Sequence, residues 1–416
     1  MSGVKRWLIT GAAGAIGLQV IRRLFKNNFQ GIEVVATDVR PLPEFLKHEN
    51  LKFQNLDIRS PESASLVSSG EFHGIIHLAS IVSPGKHSNR EFEYSVDVLG
   101  TKNILEAAVA GNVKQIIVTS SGAAYGYHKN LPEWIPEDEP VVGNEVFAYS
   151  WHKKCVEEMM ASYRQNHPEL KQLILRPGTI LGDLMKNQIT DLFEKPAVIG
   201  IMGSDSPFVF IWDQDVAEII YQGMIHDKTG IFNLAGDGKV TNRELAKILK
   251  KPLVKIPAQV LGTALSVLKK FNLTQYGPDQ IDFLRYRPVL DNKRLKNDFG
   301  FKPTYSSREV LLRYLNPEKK YLVLKGENKL SPLNVFIESG RLDDLFIEED
   351  KNAMECINEW HSFFEGQRSG KIHIVDQQGE LTQSKFKDSP YIDVLSQEKI
   401  ESLKNSLAGQ KNFRSI

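Results

Sequence analysis

Apolar residues in the first 178 positions follow two alternating periods. Short β-branched or leucine-rich runs occur at 7–10, 32–37, 51–55, 74–78, 115–119 and 172–175. Between them apolar positions recur at helical spacing, as in Ile16, Val20, Ile21, Leu24 and Phe25, and again over 98–110. A short apolar run bounded by turn residues reads as a buried strand, and an i, i+3, i+4 repeat reads as an amphipathic helix. Their alternation predicts an α/β fold, a doubly wound parallel sheet of Rossmann type.

Beyond residue 178 the segments shorten into a polar loop through Lys186 and Asn187, a Phe- and Val-rich stretch at 208–212, a helix from Asp215, a strand at 230–234 and a helix from Thr241. Thr241 and Glu244 make a capping box at the start of that helix. These pieces predict a small α+β subdomain, with the apolar stretch 258–271 as one of its core helices. Past about residue 320, strands at 321–324, 334–337 and 371–375 and an amphipathic helix at 353–364 predict a small α/β appendage. Its acidic stretch 343–350 reads as solvated surface and residues 404–416 as a frayed end.

A length of 416 residues suits two or three domains or subdomains. The net charge of +1, with no basic run interleaved with aromatics, sets nucleic acid aside and favours a small-molecule partner. Cys155 and Cys356 lie far apart and without metal-ligand spacing, so neither a disulfide framework nor a metal site is expected, and a reducing compartment fits. With Met1 leading directly into a strand and no apolar run of membrane-spanning length, the expectation is a cytoplasmic protein without an integral membrane segment.

The densest chemistry lies at residues 10–17, where a strand runs into Gly11, Gly14 and Gly17 and then into a helix. Gly11 suits the tight turn, Gly14 the close approach of backbone to a pyrophosphate, and Gly17 close packing of helix on sheet. The anion then meets the helix N-terminus at Ala15 and Ile16. Asp38 closes the second strand 21 residues past Gly17, where a carboxylate accepts the hydroxyls of an adenosine ribose and repels a 2′-phosphate. NAD is therefore expected. Arg40 could meet a 2′-phosphate, so NADP stays open.

Further along the chain stand Asp57-Ile58, His77-Leu-Ala, Gly100-Thr-Lys-Asn-Ile-Leu-Glu-Ala-Ala, Ser120-Ser121 shortly before Tyr125-Gly126, Tyr149 with Lys153, and Leu175-Arg-Pro. In this order and at these distances, over about residues 5–315, the chain resembles an extended short-chain dehydrogenase/reductase of the NAD-dependent epimerase/dehydratase group. The resemblance implies that Tyr149 is the proton donor or acceptor, that Lys153 binds the nicotinamide ribose and lowers the phenol pKa, and that Ser121 polarises the reacting oxygen, with Ser120 as its alternate. It places Asp57 and Ile58 at the adenine edge, Leu78, Ala79 and Ser80 along the ribose and nicotinamide path, and Thr119 and Pro177 at cofactor-facing strand ends. Residues 1–178 would then mainly bind NAD and 179–318 mainly the substrate, while 319–416 form an extension of unassigned role. A homodimer is what the family suggests.

Tyr149 and Lys153 are four apart, hence one helical turn from each other. The ammonium and a positive nicotinamide ring are expected to draw the phenol below its usual ~10. Asp97 stands where many relatives carry Asn. Two departures bear on the substrate: Phe208 occupies the position of a diphosphate-gripping Arg seven residues before Asp215, and Thr179 replaces an expected Asn. They favour a weakly charged ketone or secondary alcohol, as in hydroxysteroid-dehydrogenase-like and dihydroflavonol-reductase-like members. A nucleotide-sugar epimerase with retained NAD, and a non-catalytic NAD sensor or scaffold, are the alternatives. Gly122-Ala123, in place of an Asp-Glu pair, disfavours a dehydratase. Candidate substrate contacts are Ser83, Lys86, Tyr127, Asn187 and Phe208, with His87 and His128 in the same loops.

Overall fold

The structure is a computed structural model that describes residues 4–43, 46–82, 89–182, 185, 187–271, 277 and 281–315, together with 320–324, 334–339, 361, 371–375, 389–396, 398, 399, 402 and 413–415 of the C-terminal region. Its contacts divide the chain into two units, Met1–Leu312 and Arg313–Ile416.

The first unit opens with β1 (Lys5–Thr10), α1 (Ala15–Phe25), β2 (Ile32–Asp38), β3 (Leu51–Asn55), α2 (Pro61–Ser69) and β4 (Gly74–His77). It continues through α3 (Arg90–Tyr94), a π-helical turn at Ser95–Gly100, α4 (Thr101–Ala110), β5 (Gln115–Thr119), a 3-10 turn at Gly122–Tyr125, α5 (Ala148–Asn166) and β6 (Lys171–Pro177). The second half supplies β7 (Thr179–Leu181), α6 (Gln188–Glu194), β8 (Val198–Ile201), β9 (Phe210–Trp212), α7 (Asp213–Ile225), β10 (Gly230–Leu234), α8 (Asn242–Leu249), β11 (Leu253–Ile256), α9 (Ala258–Lys270), α10 (Ile281–Arg285) and α11 (Ser307–Leu315).

Seven parallel strands form the central sheet in the order β10-β6-β5-β4-β1-β2-β3. The strand order reverses between β1 and β4, and a crevice at the carboxyl ends of the strands opens there. Leu8, Ile75, Ile104, Ile116 and Met160 are among the residues that fill one face of the sheet. The chain leaves the sheet after β6 and returns, because β10 pairs with β6 from Gly230↔Leu173 to Leu234↔Pro177. Helix α7 packs on α1, with the Gln19 amide donating to Asp213 Oδ2 at 2.7 Å. Asp215 accepts the Thr304 N–H at 2.8 Å and its hydroxyl at 2.5 Å, which ties α7 to the segment before α11. The Thr241–Glu244 capping box forms as expected.

Helix α9 departs from expectation. Val260, Val267 and the following Phe271 are exposed, and among the described residues of the helix only Gly262 is buried, so it is not a core helix.

In the second unit β12 (Lys320–Leu324), β13 (Asn334–Ser339), β14 (Lys371–Val375), β15 (Ile392–Val394) and β16 (Phe413–Ser415) form a mixed sheet of order β15-β14-β13-β12-β16. Three of these strands follow the sequence pattern. Phe413–Ser415, expected to be frayed, instead pairs in parallel with β12, an arrangement that only the long-range pairing reveals. Of the expected helix at 353–364 only His361 is described, and the acidic stretch 343–350 lies outside the described residues. Among the described residues no helix is long and apolar enough to cross a membrane.

Candidate active site

The carboxyl ends of β1, β2, β4, β5 and β6 open into one cleft of about 980 Å³. On the β1–β2 side it is lined by the glycine turn and Asp38. Gly11 holds φ +69°, and a Cβ there would stand 2.6 Å from the Ala79 nitrogen, because the chain leaving β4 passes directly over it. A Cβ on Gly17 would stand 2.5 Å from the Ala12 carbonyl oxygen, so α1 can start this close to the turn only with glycine. Gly14 caps α1 without a side-chain hydrogen bond, and the first turn of α1 carries no acidic residue. Ala15, Ile16 and Gly17 therefore offer an N-terminal cradle with the polarity an anion needs.

Asp38 is buried at 7% exposure and fixes the turn. Its Oδ2 accepts the Ala13 N–H and its Oδ1 the Arg40 N–H, both at 3.0 Å. The Arg40 guanidinium, 65% exposed, leans on the same carboxylate at 3.4 Å. Asp57 also lines the cleft, but Arg59 grips both of its oxygens and holds its carboxyl below the usual range. Ile58, Leu78, Ala79, Thr119 and Pro177 line the same space, as does Ser80, whose buried hydroxyl has no protein partner.

Tyr149, Lys153 and Ser121 converge on the β5–β6 side. Helix α5 starts at Ala148 and puts Tyr149 and Lys153 a turn apart, with the ammonium 5.7 Å from the phenol ring centroid and donating to the Thr119 carbonyl at 3.1 Å. Ser121 sits at the start of the 3-10 turn, its hydroxyl accepting the Ala123 N–H at 3.1 Å, and is close enough to Tyr149 to act on its phenol. Ser120 is turned away, donating its hydroxyl to Glu157 at 2.5 Å, which leaves Ser121 as the serine facing the phenol. Burial pushes Tyr149 up to about 12; the neighbouring Ser121 side chain opposes this and Asp97 adds to it. Burial lowers Lys153, against the pull of Asp97 and Glu157.

Beneath these groups His77 is enclosed, with Nδ1 2.8 Å from the Thr10 hydroxyl and Nε2 2.9 Å from that of Thr101. Burial lowers its pKa to about 4, with Lys153 adding to the effect and Asp97 opposing it. A folded pKa below the unfolded ~6.5 means that the contribution to stability is complete above that value and is lost as pH falls toward 4, by about 3 kcal/mol. Urea unfolding at pH 7 and pH 4.5 is expected to show a shallower acid loss for His77→Gln than for the wild type. Asp97 braces two neighbouring segments, since its Oδ1 accepts the Ile81 N–H at 2.8 Å and its Oδ2 lies 3.4 Å from His152 Nδ1.

The substrate candidates divide. Tyr127, Phe208 and Asn187 line the cleft, whereas Ser83, Lys86 and His87 lie outside the described residues. The Asn187 side chain is committed to capping α6 and to the Ile180 carbonyl. His128 Nε2 lies 2.8 Å from the Gly143 carbonyl oxygen and does not line the cleft.

The sequence reading missed Arg287. Its guanidinium lies 4.0 Å from the Phe208 ring centroid, and its Nη1 donates to the Ser206 carbonyl at 2.9 Å. Its Nε is buried without a partner, and no carboxylate among the described residues pairs with it. Burial lowers its pKa to about 10. No local pattern marks this residue, since it lies far along the chain from Phe208 and only the fold brings the two together.

Comparison with known proteins agrees with this architecture. An uncharacterized protein of Mycobacterium tuberculosis is 23% identical over 313 residues, covering 74% of this chain and 82% of its own. A putative UDP-glucose 4-epimerase of Methanocaldococcus jannaschii is 26% identical over 338 residues, covering 74% and 97%. The solved structure of MoeE5 in complex with UDP-glucose and NAD has a TM-score of 0.58 at 20% identity, over 75% of this chain and 97% of that one, a likeness of fold. The profile of the NAD dependent epimerase/dehydratase family matches residues 7–235, more than half of the chain, and the chain belongs to that family.

Proposed function

We propose that this protein is an NAD-dependent enzyme acting at a secondary alcohol or ketone of a substrate that carries an anionic group, the class that includes nucleotide sugars. The carrying observation is the convergence of Tyr149, Lys153 and Ser121 on the same cleft as the glycine turn and Asp38. The uncapped start of α1 and the carboxylate of Asp38 at the end of β2 fit a dinucleotide pyrophosphate and an unphosphorylated adenosine ribose. Gly14, Ala15 and Ile16 would hold the pyrophosphate, Asp57 and Ile58 would border the adenine, and Lys153 would meet the nicotinamide ribose. Bound NAD supplies a reversible hydride acceptor.

The chain's own groups handle the proton. Ser121 orients the substrate oxygen, and Tyr149 donates its proton to a ketone oxygen or, as the phenolate beside the Lys153 ammonium, takes the proton of an alcohol. Arg287 alters the substrate reading. A partly buried guanidinium without a carboxylate is costly, and a ligand anion would offset that cost. Arg287 thus supplies, against the face of Phe208, the cation whose absence at position 208 favours an uncharged substrate. Relatives named for UDP-glucose agree with an anion-bearing substrate.

The test is calorimetric titration of the purified protein. NAD is expected to bind more tightly than NADP, and UDP to bind the NAD-saturated protein, with Arg287→Leu weakening UDP by about tenfold or more. Absence of NAD binding would remove the cofactor assignment, and unchanged UDP affinity in Arg287→Leu would remove the anion site.

A further inference from the structure

Between Tyr149 and Arg287 the cleft wall is aromatic. The Tyr149 ring centroid lies 6.5 Å from that of Phe147, Phe147 lies 5.7 Å from Phe283, and the Arg287 guanidinium lies 5.4 Å from Phe283. Tyr127 closes the triangle at 5.6 Å from Phe147 and 5.1 Å from Phe283. All of these side chains line the cleft. A substrate whose reacting oxygen is at Ser121 and Tyr149 and whose anion is at Arg287 must run along these rings.

We propose that Tyr127, Phe147 and Phe283 form the specificity wall of the site, and that the ring bearing the reacting alcohol is poor in hydroxyls, as in a deoxyhexose. The inference rests on the proposed anion-bearing substrate. A hydroxyl laid against the Phe147 and Phe283 faces would lose its water with nothing there to replace it, since the Tyr127 hydroxyl is the one polar side-chain atom of the three rings and the Asn187 amide is committed to the α6 cap. A C–H face or a methyl group laid on the rings gains apolar contact instead. The exocyclic carbon of a hexose is the natural discriminator, since replacing its hydroxymethyl by methyl leaves every reacting atom unchanged.

The experiment compares UDP-glucose with UDP-6-deoxyglucose by titration of the NAD-saturated protein, with UDP as reference. The 6-deoxy probe is expected to bind about tenfold more tightly. Phe283→Asn should bring the two sugars to within about threefold of each other and Phe283→Leu should keep the preference, each sugar being compared with UDP in the same variant because Phe283 also touches Arg287. Equal affinity for the two sugars in a protein that binds UDP overturns the wall and leaves the anion site standing. A preference that persists in Phe283→Asn overturns the role of these rings. If UDP itself does not bind, the anion-bearing substrate fails, and the wall with it.

Discussion

Replacing Tyr149 by Phe is expected to lower turnover about 10²- to 10⁴-fold while leaving NAD affinity unchanged, the range for loss of a positioned acid or base. The ring is retained, so its contacts with Phe147 and the 5.7 Å approach of the Lys153 ammonium survive. What disappears is the phenol oxygen beside Ser121. Because burial holds that phenol up at about 12, the reduction direction should run freely through neutral pH, where the donor is protonated. The oxidation direction needs the phenolate and should therefore rise with pH toward the alkaline side. Turnover on a panel of ketones and alcohols, followed by the absorbance of reduced cofactor alongside an NAD titration, measures both effects. A variant that retains turnover would show that Tyr149 is not the proton carrier.

Arg176→Met is expected to destabilise the fold by about 3–5 kcal/mol, and Arg176→Met combined with Glu157→Gln by clearly less. Arg176 and Glu157 are both buried and doubly bonded, Nε to Oε1 at 2.8 Å and Nη2 to Oε2 at 2.5 Å. Removing the guanidinium leaves a buried carboxylate whose remaining partner is the Ser120 hydroxyl, and it strips one donor each from the Tyr125 hydroxyl and the Glu137 carbonyl. The double change removes both charges, so no uncompensated ion remains. Equilibrium unfolding in urea distinguishes the two, and equal losses in the single and double variants would count against an ion-pair origin. This network reaches the serine loop through the Ser120 hydroxyl. Tyr125 and Arg176, prominent in the sequence motifs, thereby hold the serine loop in place and do not themselves enter the cleft.

Much of the fold was legible because its signals are local. Alternating strand and helix periods marked every central strand up to β6, and the glycine spacing with Asp38 marked the cradle at the head of α1. The spacing of Tyr149 and Lys153 on one helix is likewise a local property. The helix at α9 and the final strand at Phe413–Ser415 were misread, since their burial or pairing depends on what lies across from them.

From the order of residues alone came the doubly wound sheet, the glycine turn, the carboxylate that closes β2 and the Tyr149–Lys153 pair, because each is written in short-range spacing and in residue type. Tertiary structure was needed to return β10 to the sheet edge, to turn Ser120 onto Glu157 and leave Ser121 facing the phenol, and to raise the phenol by burial. It also brought Arg287 onto Phe208 and closed Tyr127, Phe147 and Phe283 into one wall. Those features are set by distance through space and by exclusion of water, and neither quantity is carried by the spacing of residues along the chain.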